Sequence, residues 1–183
     1  SLLNEEVKEK HNKTWEKYIG GHPFKDQSII DKSRKTMYEN GTSNTSNQQI
    51  YLCGLLKGKL NYPISRCSVD IGFPDEKIYI EYDGGGHNLS VKFNVLTQKD
   101  FDIKELKRYF LLKSKGWKKI RIISVEDYLP QDEVILQMIR FAKEYINENH
   151  SWITFDIDNN IIKCSQFKIK CDFGKLRKVR KSL

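Results

Sequence analysis

Apolar residues recur along the chain in two rhythms: a spacing of three or four residues marks helices, and alternation marks strands. Residues 1–19 follow the first, with Leu3, Val7, Trp15 and Tyr18 as buried positions and Gly20, Gly21 and Pro23 as the stop. Residues 29–38 read as a shorter, basic helix. The turn-forming stretch ENGTSNTSN then sets a boundary near residue 42. Ser46-x-x-Gln49 has the form of a capping box. It opens a helix from Asn47 to about Lys57 with Ile50, Leu52, Leu55 and Leu56 toward a core.

Residues 64–73 read as a strand, Pro74 to Lys77 as a turn, and residues 78–83 as a second strand. Ile78 and Ile80 lie on one face of that strand, and Tyr79, Glu81 and Asp83 on the other. Gly84-Gly85-Gly86 ends it. Residues 99–115 predict a long helix with the stripe Phe101, Leu106, Tyr109, Phe110 and Leu112, stopped by Gly116. A strand over 117–124, a turn at 127–130, a helix over 131–147 and short strands at 152–157 and 160–169 complete the pattern. This order predicts an α/β domain, a small mixed sheet flanked by helices. The core is residues 43–150, between a basic helical leader (1–42) and short strands with a basic tail (151–183).

The 183 residues suffice for one domain with a real core, and 31% charged against 38% hydrophobic residues place the chain in the globular range. No apolar run approaches the ~20 residues that span a bilayer, so no membrane partner is expected. The opening SLLNEEVKEK lacks a secretory pattern. The chain starts at Ser1 rather than Met, so further residues are expected upstream. Cys53, Cys67, Cys164 and Cys171 form no CxxC pair and read as reduced thiols of a cytoplasmic protein. The net charge is +8, and eight Lys or Arg against Asp172 put nearly all of it in residues 163–183. Such a tail, with Lys175, Arg177, Lys178 and Arg180, suits phosphate contacts.

The chemistry concentrates in VDIGFPDEKIYIEYDGGGHN. Asp70 lies on the first strand, and Glu81 and Asp83 share a face of the second. Three converging carboxylates repel one another unless a cation neutralises them, and Mg²⁺ (or Mn²⁺) prefers carboxylate oxygen plus water. The glycines let the backbone turn and bring His87 back as a general base. Asp102, Glu105 and Arg108 share a face of the following helix. One of its acids would point at the cluster, while Arg108 grips a phosphate or pins a carboxylate. Taken singly, Asp70 reads as a turn or strand-end residue, Glu81 and Asp83 as the solvated face of an edge strand, His87 as a plain loop histidine, and Asp102, Glu105 and Arg108 as an exposed ladder. Their combination is what points to a metal-dependent hydrolase.

The series D-(x10)-E-x-D-G-G-G-H, then a helix with acid-x-x-R-x-x-x-L-x-x-x-G-W, then IRIIS resembles the very-short-patch-repair branch of the PD-(D/E)XK nucleases. Within that branch it is most similar to the EDxHD homing endonucleases of bacteria and phages, over roughly residues 43–130. The resemblance implies a restriction-endonuclease-like core and Mg²⁺-dependent cleavage of double-stranded DNA, with dimerisation if both strands are cut. It puts the main metal ligand at Asp70, the water-activating histidine at His87, and the late acid at Asp102 or Glu105. The family's opening glutamate falls on Gln49 (or Gln48), a weaker ligand. The lysine of the standard motif falls on Asp83 and is therefore absent. The leader WEKYIGGHPF…KSRKTMYENGTSN looks like the basic segment that precedes phage nuclease domains, with Lys25, Lys32, Arg34 and Lys35 as DNA contacts. The competing expectations are a non-catalytic nucleic-acid-binding domain on a decayed nuclease fold, motivated by Gln49, and a small-molecule phosphatase, which the basic tail disfavours.

Overall fold

A computed structural model describes residues 2–19, 26–149 and 152–179. The chain forms two compact units, residues 1–43 with 63–68, and residues 44–62 with 69–183. In the first unit, helix α1 spans Leu2–Ile19 and α2 spans Gln27–Glu39. Asp26 caps α2, its carboxylate accepting from the Ser28 amide at 2.8 Å. No residue of α2 is buried. Val7, expected in a core, is exposed; the side chains of Leu3, Trp15 and Tyr18 lie outside the described residues.

The next elements are α3 (Asn47–Leu56), β1 (Lys59–Ile64), β2 (Cys67–Phe73), β3 (Ile78–Asp83), α4 (Leu89–Lys92), α5 (Gln98–Ser114), β4 (Lys118–Ile123), β5 (Tyr128–Leu129), α6 (Asp132–Asn149), β6 (Ile153–Asp156), β7 (Ile161–Cys164), β8 (Lys168–Lys170) and β9 (Arg177–Lys178). Among the described residues, β1-β2-β3-β4-β6-β7-β8 form one seven-stranded sheet, and β5-β9 form a separate pair. β3 pairs with β4, and β4 with β6, in parallel; the other described pairings are antiparallel. The chain is thus α/β, with a mixed sheet flanked by helices.

The capping box forms: Ser46 Oγ accepts from the Gln49 amide at 3.2 Å, and Gln49 Oε1 accepts from the Ser46 amide at 2.7 Å. One sheet face carries the core. Ile78, Ile80, Ile120, Ile122, Ile153 and Phe155 pack there with Ile135, Ile139, Ala142 and Ile146 of α6 and Leu52 of α3. Burying such side chains stabilises by roughly 1.5–3 kcal/mol each. Ile50, expected to face this core, is half exposed.

All six residues of β3 are buried, so Glu81 and Asp83 are not a solvated edge face. On the face opposite the core, β3 meets α5 through an Arg108–Glu81 ion pair. Only Leu112 of α5 is fully buried, while Leu106 and Phe110 are exposed, so the expected apolar stripe is mostly outside the packing. Gly116 takes φ +81°, and the Trp117 amide closes on Leu112 O at 3.1 Å, ending α5 in the way its sequence predicts. The expected strand over 64–73 is split by a turn at Ser65, whose φ is +52°. All four cysteines are free.

Candidate functional site

The site grows from the β2–β3 hairpin. The register Ile71↔Ile80 makes Asp70 and Glu81 cross-strand neighbours on the face away from the core. Asp70 Oδ2 accepts from the Tyr82 amide at 2.7 Å. The Gln49 side chain also hydrogen-bonds Asp70. Because Oε1 of Gln49 is taken by the Ser46 amide, its NH₂ group is what serves the Asp70 carboxylate, which only accepts. Gln49 therefore serves Asp70 through its NH₂ group while its oxygen closes the capping box. Glu81 Oε1 accepts from Arg108 Nη2 at 2.7 Å, and Glu105 stands 3.9 Å from the same guanidinium.

The glycine loop carries His87. Its amide donates to Gly84 O at 3.0 Å, closing the turn. Asp127 braces the loop: its Oδ1 accepts from the Gly85 amide at 3.3 Å and from Tyr82 OH at 3.2 Å. Gln48 Nε2 in turn donates to Asp127 O at 3.3 Å. His87 Nδ1 lies 3.0 Å from Asp83 Oδ1, and the ring meets Phe101 edge-on at 5.4 Å. Its Nε2 is buried and has no hydrogen-bond partner among the described residues. The ionised Asp83 accepts, so Nδ1 carries the hydrogen, and in the neutral ring the lone pair is on Nε2. Gln49, Asp70, Glu81, His87, Glu105 and Arg108 line one cavity of about 380 Å³.

The carboxylates differ in electrostatics. Burial pushes Asp70 above its ordinary value, against the Tyr82 amide and Gln49. Burial pushes Glu81 up to about 7, with Arg108 opposing. Asp83 goes the other way: burial would raise it, but His87 and Arg121 together hold it below the usual carboxylate value.

Two residues expected in the site stand outside this cavity. Asp83 does not line the cavity. One of its oxygens faces His87 and the other accepts from Arg121 Nε, so it is committed to the histidine and to β4. Asp102 is exposed, accepts from Gln98 Nε2 at 2.7 Å and lies outside the cavity; Glu105 is the acid of α5 that enters it. Arg121, Asp127 and Tyr82 are the contributors that sequence reading missed; Gln48, the other register for the opening position, lines the same cavity as Gln49. For Arg121 a signal existed, since it alternates with Ile120 and Ile122 onto the polar face of β4.

Apart from Arg108, the described residues expected to touch nucleic acid lie on α2 of the first unit and in the tail of the second. Lys32 and Lys35 are exposed on α2, Lys35 facing Glu39 at 3.8 Å, and Arg34 approaches Met37 Sδ at 4.0 Å. Lys175 is exposed. Arg177 is engaged by Asp132 and Tyr51, and Lys178 lies over the Tyr128 ring at 5.1 Å. Lys25 and Arg180 lie outside the described residues.

Among the described residues, no three His, Cys, Asp or Glu side chains converge on one point as they stand. The donor set still fits a hard cation. Asp70, Glu81 and Glu105 offer oxygens to one cavity, and Mg²⁺ is commonly held by one or two carboxylates plus water. No described helix is long and apolar enough to cross a membrane. Comparison with family models, curated proteins and solved structures finds no match.

Proposed function

We propose that this chain is a Mg²⁺-dependent (or Mn²⁺-dependent) endonuclease acting on double-stranded DNA, built on a PD-(D/E)XK-like core related to the EDxHD homing endonucleases. The observation that carries the reading is the single cavity shared by Asp70, Glu81, Glu105, Arg108 and the unpartnered Nε2 of His87. Asp70 and Glu81 would hold the cation, which when bound supplies Lewis-acid stabilisation of charge on the phosphate. His87 Nε2 accepts the proton of the attacking water. Asp83 fixes the tautomer and the ring. Arg108, already in the cavity, places its guanidinium charge where it would stabilise a phosphoryl oxygen.

Supercoiled plasmid with Mg²⁺ or with EDTA tests this. Nicking or linearisation that needs the metal and is lost in Asp70→Ala and His87→Ala is the expected result. Cleavage surviving Asp70→Ala would sink the assignment. The occupied oxygen of Gln49 favours one second reading, a nucleic-acid-binding domain without cleavage. That reading predicts DNA binding in EDTA and no product under any metal.

A further inference from the structure

The sheet face away from the core is only partly covered by α5. Beyond the helix it opens into a second recess of about 480 Å³. Lys119 and Arg121 of β4, Lys163 of β7 and Lys168 of β8 bring four cations to it, and Tyr109 and Trp152 supply two aromatic rings. The one carboxylate in the wall, Asp156, is committed elsewhere. It accepts from the Asn159 amide at 3.1 Å and from the Asn159 side chain at 3.0 and 2.9 Å, closing the β6–β7 turn. Lys119, Lys163 and Lys168 take part in none of the ion pairs among the described residues. A concave sheet face with three lysines outside the described ion pairs and two half-buried rings is complementary to an anion that also carries a flat apolar surface. Cations tracking a backbone, with aromatics receiving bases, are the recognition chemistry of single-stranded nucleic acid. The recess has the size of a small-molecule site, enough for a nucleotide unit and too small to admit a duplex, whose stacked bases would also not reach the rings.

The recess adjoins the candidate active site. α5 walls both, with Leu106 and Tyr109 on one side and Glu105 and Arg108 on the other. Arg121 reaches from the recess to Asp83, which holds His87. We infer that this recess binds an unpaired nucleotide of single-stranded DNA, its phosphate on Lys163 and Lys168 and its base against Trp152 or Tyr109. That the strand is a frayed flank of the cleaved DNA rests on the nuclease reading; the binding itself does not.

The test uses the full chain in EDTA, so that no cleavage intervenes, with a fluorescent twenty-residue oligothymidylate read by anisotropy. Lys163→Glu/Lys168→Glu should weaken binding at least tenfold and reduce the salt slope by roughly 1.4, two phosphate contacts at ~0.7 each on a single strand. Trp152→Ala should weaken it about tenfold, within the range for loss of one stacked base. The charge-matched Lys8→Glu/Lys10→Glu, on exposed residues of α1, should change it less than threefold. Circular dichroism and melting identify any variant that fails to fold; Lys163 and Lys168 are exposed, so that pair tests the site even if Trp152→Ala does not fold. Wild-type affinity in the groove variant would overturn the inference, as would equal weakening by the control pair or displacement of the oligonucleotide as readily by duplex as by single strand. Plasmid cleavage with no groove effect would leave the nuclease reading standing and remove this one. A groove effect in a protein that cuts nothing would do the reverse.

Discussion

His87 Nδ1 lies 3.0 Å from Asp83 Oδ1, four residues back along the chain, while Arg121 takes the other oxygen of the same carboxylate. The loop between them is three glycines, and its backbone folds tightly enough for the His87 amide to meet Gly84 O. The aspartate is buried and ionised, so the histidine ring has one orientation and one tautomer that satisfy it. A charged strand residue here serves the base that the loop carries.

Asp83→Asn tests that role. An asparagine can offer the ring its NH₂ group and lose the tautomer, and it leaves Arg121 without a counter-charge. Plasmid nicking should fall by about 10²–10⁴, the loss typical when a base loses its orienting carboxylate, and stability by about 1–3 kcal/mol. The thermal shift produced by Mg²⁺ should persist, because Asp83 does not line the cavity. A variant that loses the Mg²⁺ shift but keeps its rate would make Asp83 a ligand instead.

Much of this arrangement was legible because it is local. The Ser46–Gln49 box, the β2–β3 hairpin and the glycine loop are each written within a few residues. What was not legible depends on strands distant in sequence. Nothing in IYIEYD says that Arg121, nearly forty positions on, will claim Asp83. Spacing back from Arg108 and Gly116 favours Glu105 and the family's letter favours Asp102; the roll of α5 over β3 separates them by turning Arg108 onto Glu81. The basic tail is expected to pack on or extend the core, but its strand partner was not legible: Arg177 and Lys178 pair with Tyr128 and Leu129 as β9.

Glu81 predicts a pH dependence of stability. It titrates at about 7 in the folded chain against 4.5 when unperturbed, because burial outweighs Arg108. Between those values the folded state keeps a proton that the unfolded state has released. The stabilisation is complete below the unfolded value and is lost as pH rises through about 7. Asp70 shifts in the same direction. With EDTA present, unfolding free energy should fall by up to about 3 kcal/mol across this window. Urea titrations should show Glu81→Gln flattening the decline; parallel curves for variant and wild type would count against it.

Gly84 is fixed by its surroundings. A Cβ there would run into Asp127 Oδ1 and stand 2.9 Å from the Tyr82 ring, whereas at Gly86 the nearest atom is Leu89 Cδ1 at 3.6 Å. Gly84→Ala should destabilise by about 1–3 kcal/mol and displace the His87 loop. Gly86→Ala should stay within about 1 kcal/mol. Comparing the two melting temperatures checks the claim, and equal shifts would contradict it.

Arg177 anchors β9 through Asp132 and the Tyr51 ring, 5.2 Å from its guanidinium carbon. Both charged partners are more than a third exposed, so the ion pair contributes little. With the ring contact included, Arg177→Ala should cost about 1 kcal/mol. Its main effect should be faster proteolysis of the tail, with duplex affinity changed less than by Lys175→Ala. A larger affinity loss in Arg177→Ala would return that side chain to the DNA-contacting set.

Gln49→Glu separates the two readings of the site. Glutamate can keep the capping box, since Oε1 still accepts from the Ser46 amide. Its second oxygen then faces Asp70 in place of an NH₂ donor, and two carboxylates confront each other with only Arg108, already paired with Glu81, as a counter-charge. In EDTA the variant should lose about 1–2 kcal/mol, a melting temperature lower by several degrees for a chain of this size. Mg²⁺ should restore it more than it stabilises the wild type, and half-maximal nicking should need roughly tenfold less metal, the scale of one added charged ligand near an ion. If the wild type is inert and Gln49→Glu cuts, the glutamine is what silenced a working site. If the variant is as stable as wild type in EDTA and gains nothing from Mg²⁺, then Gln49 does not face the place where a cation would sit. The cavity would then serve binding alone.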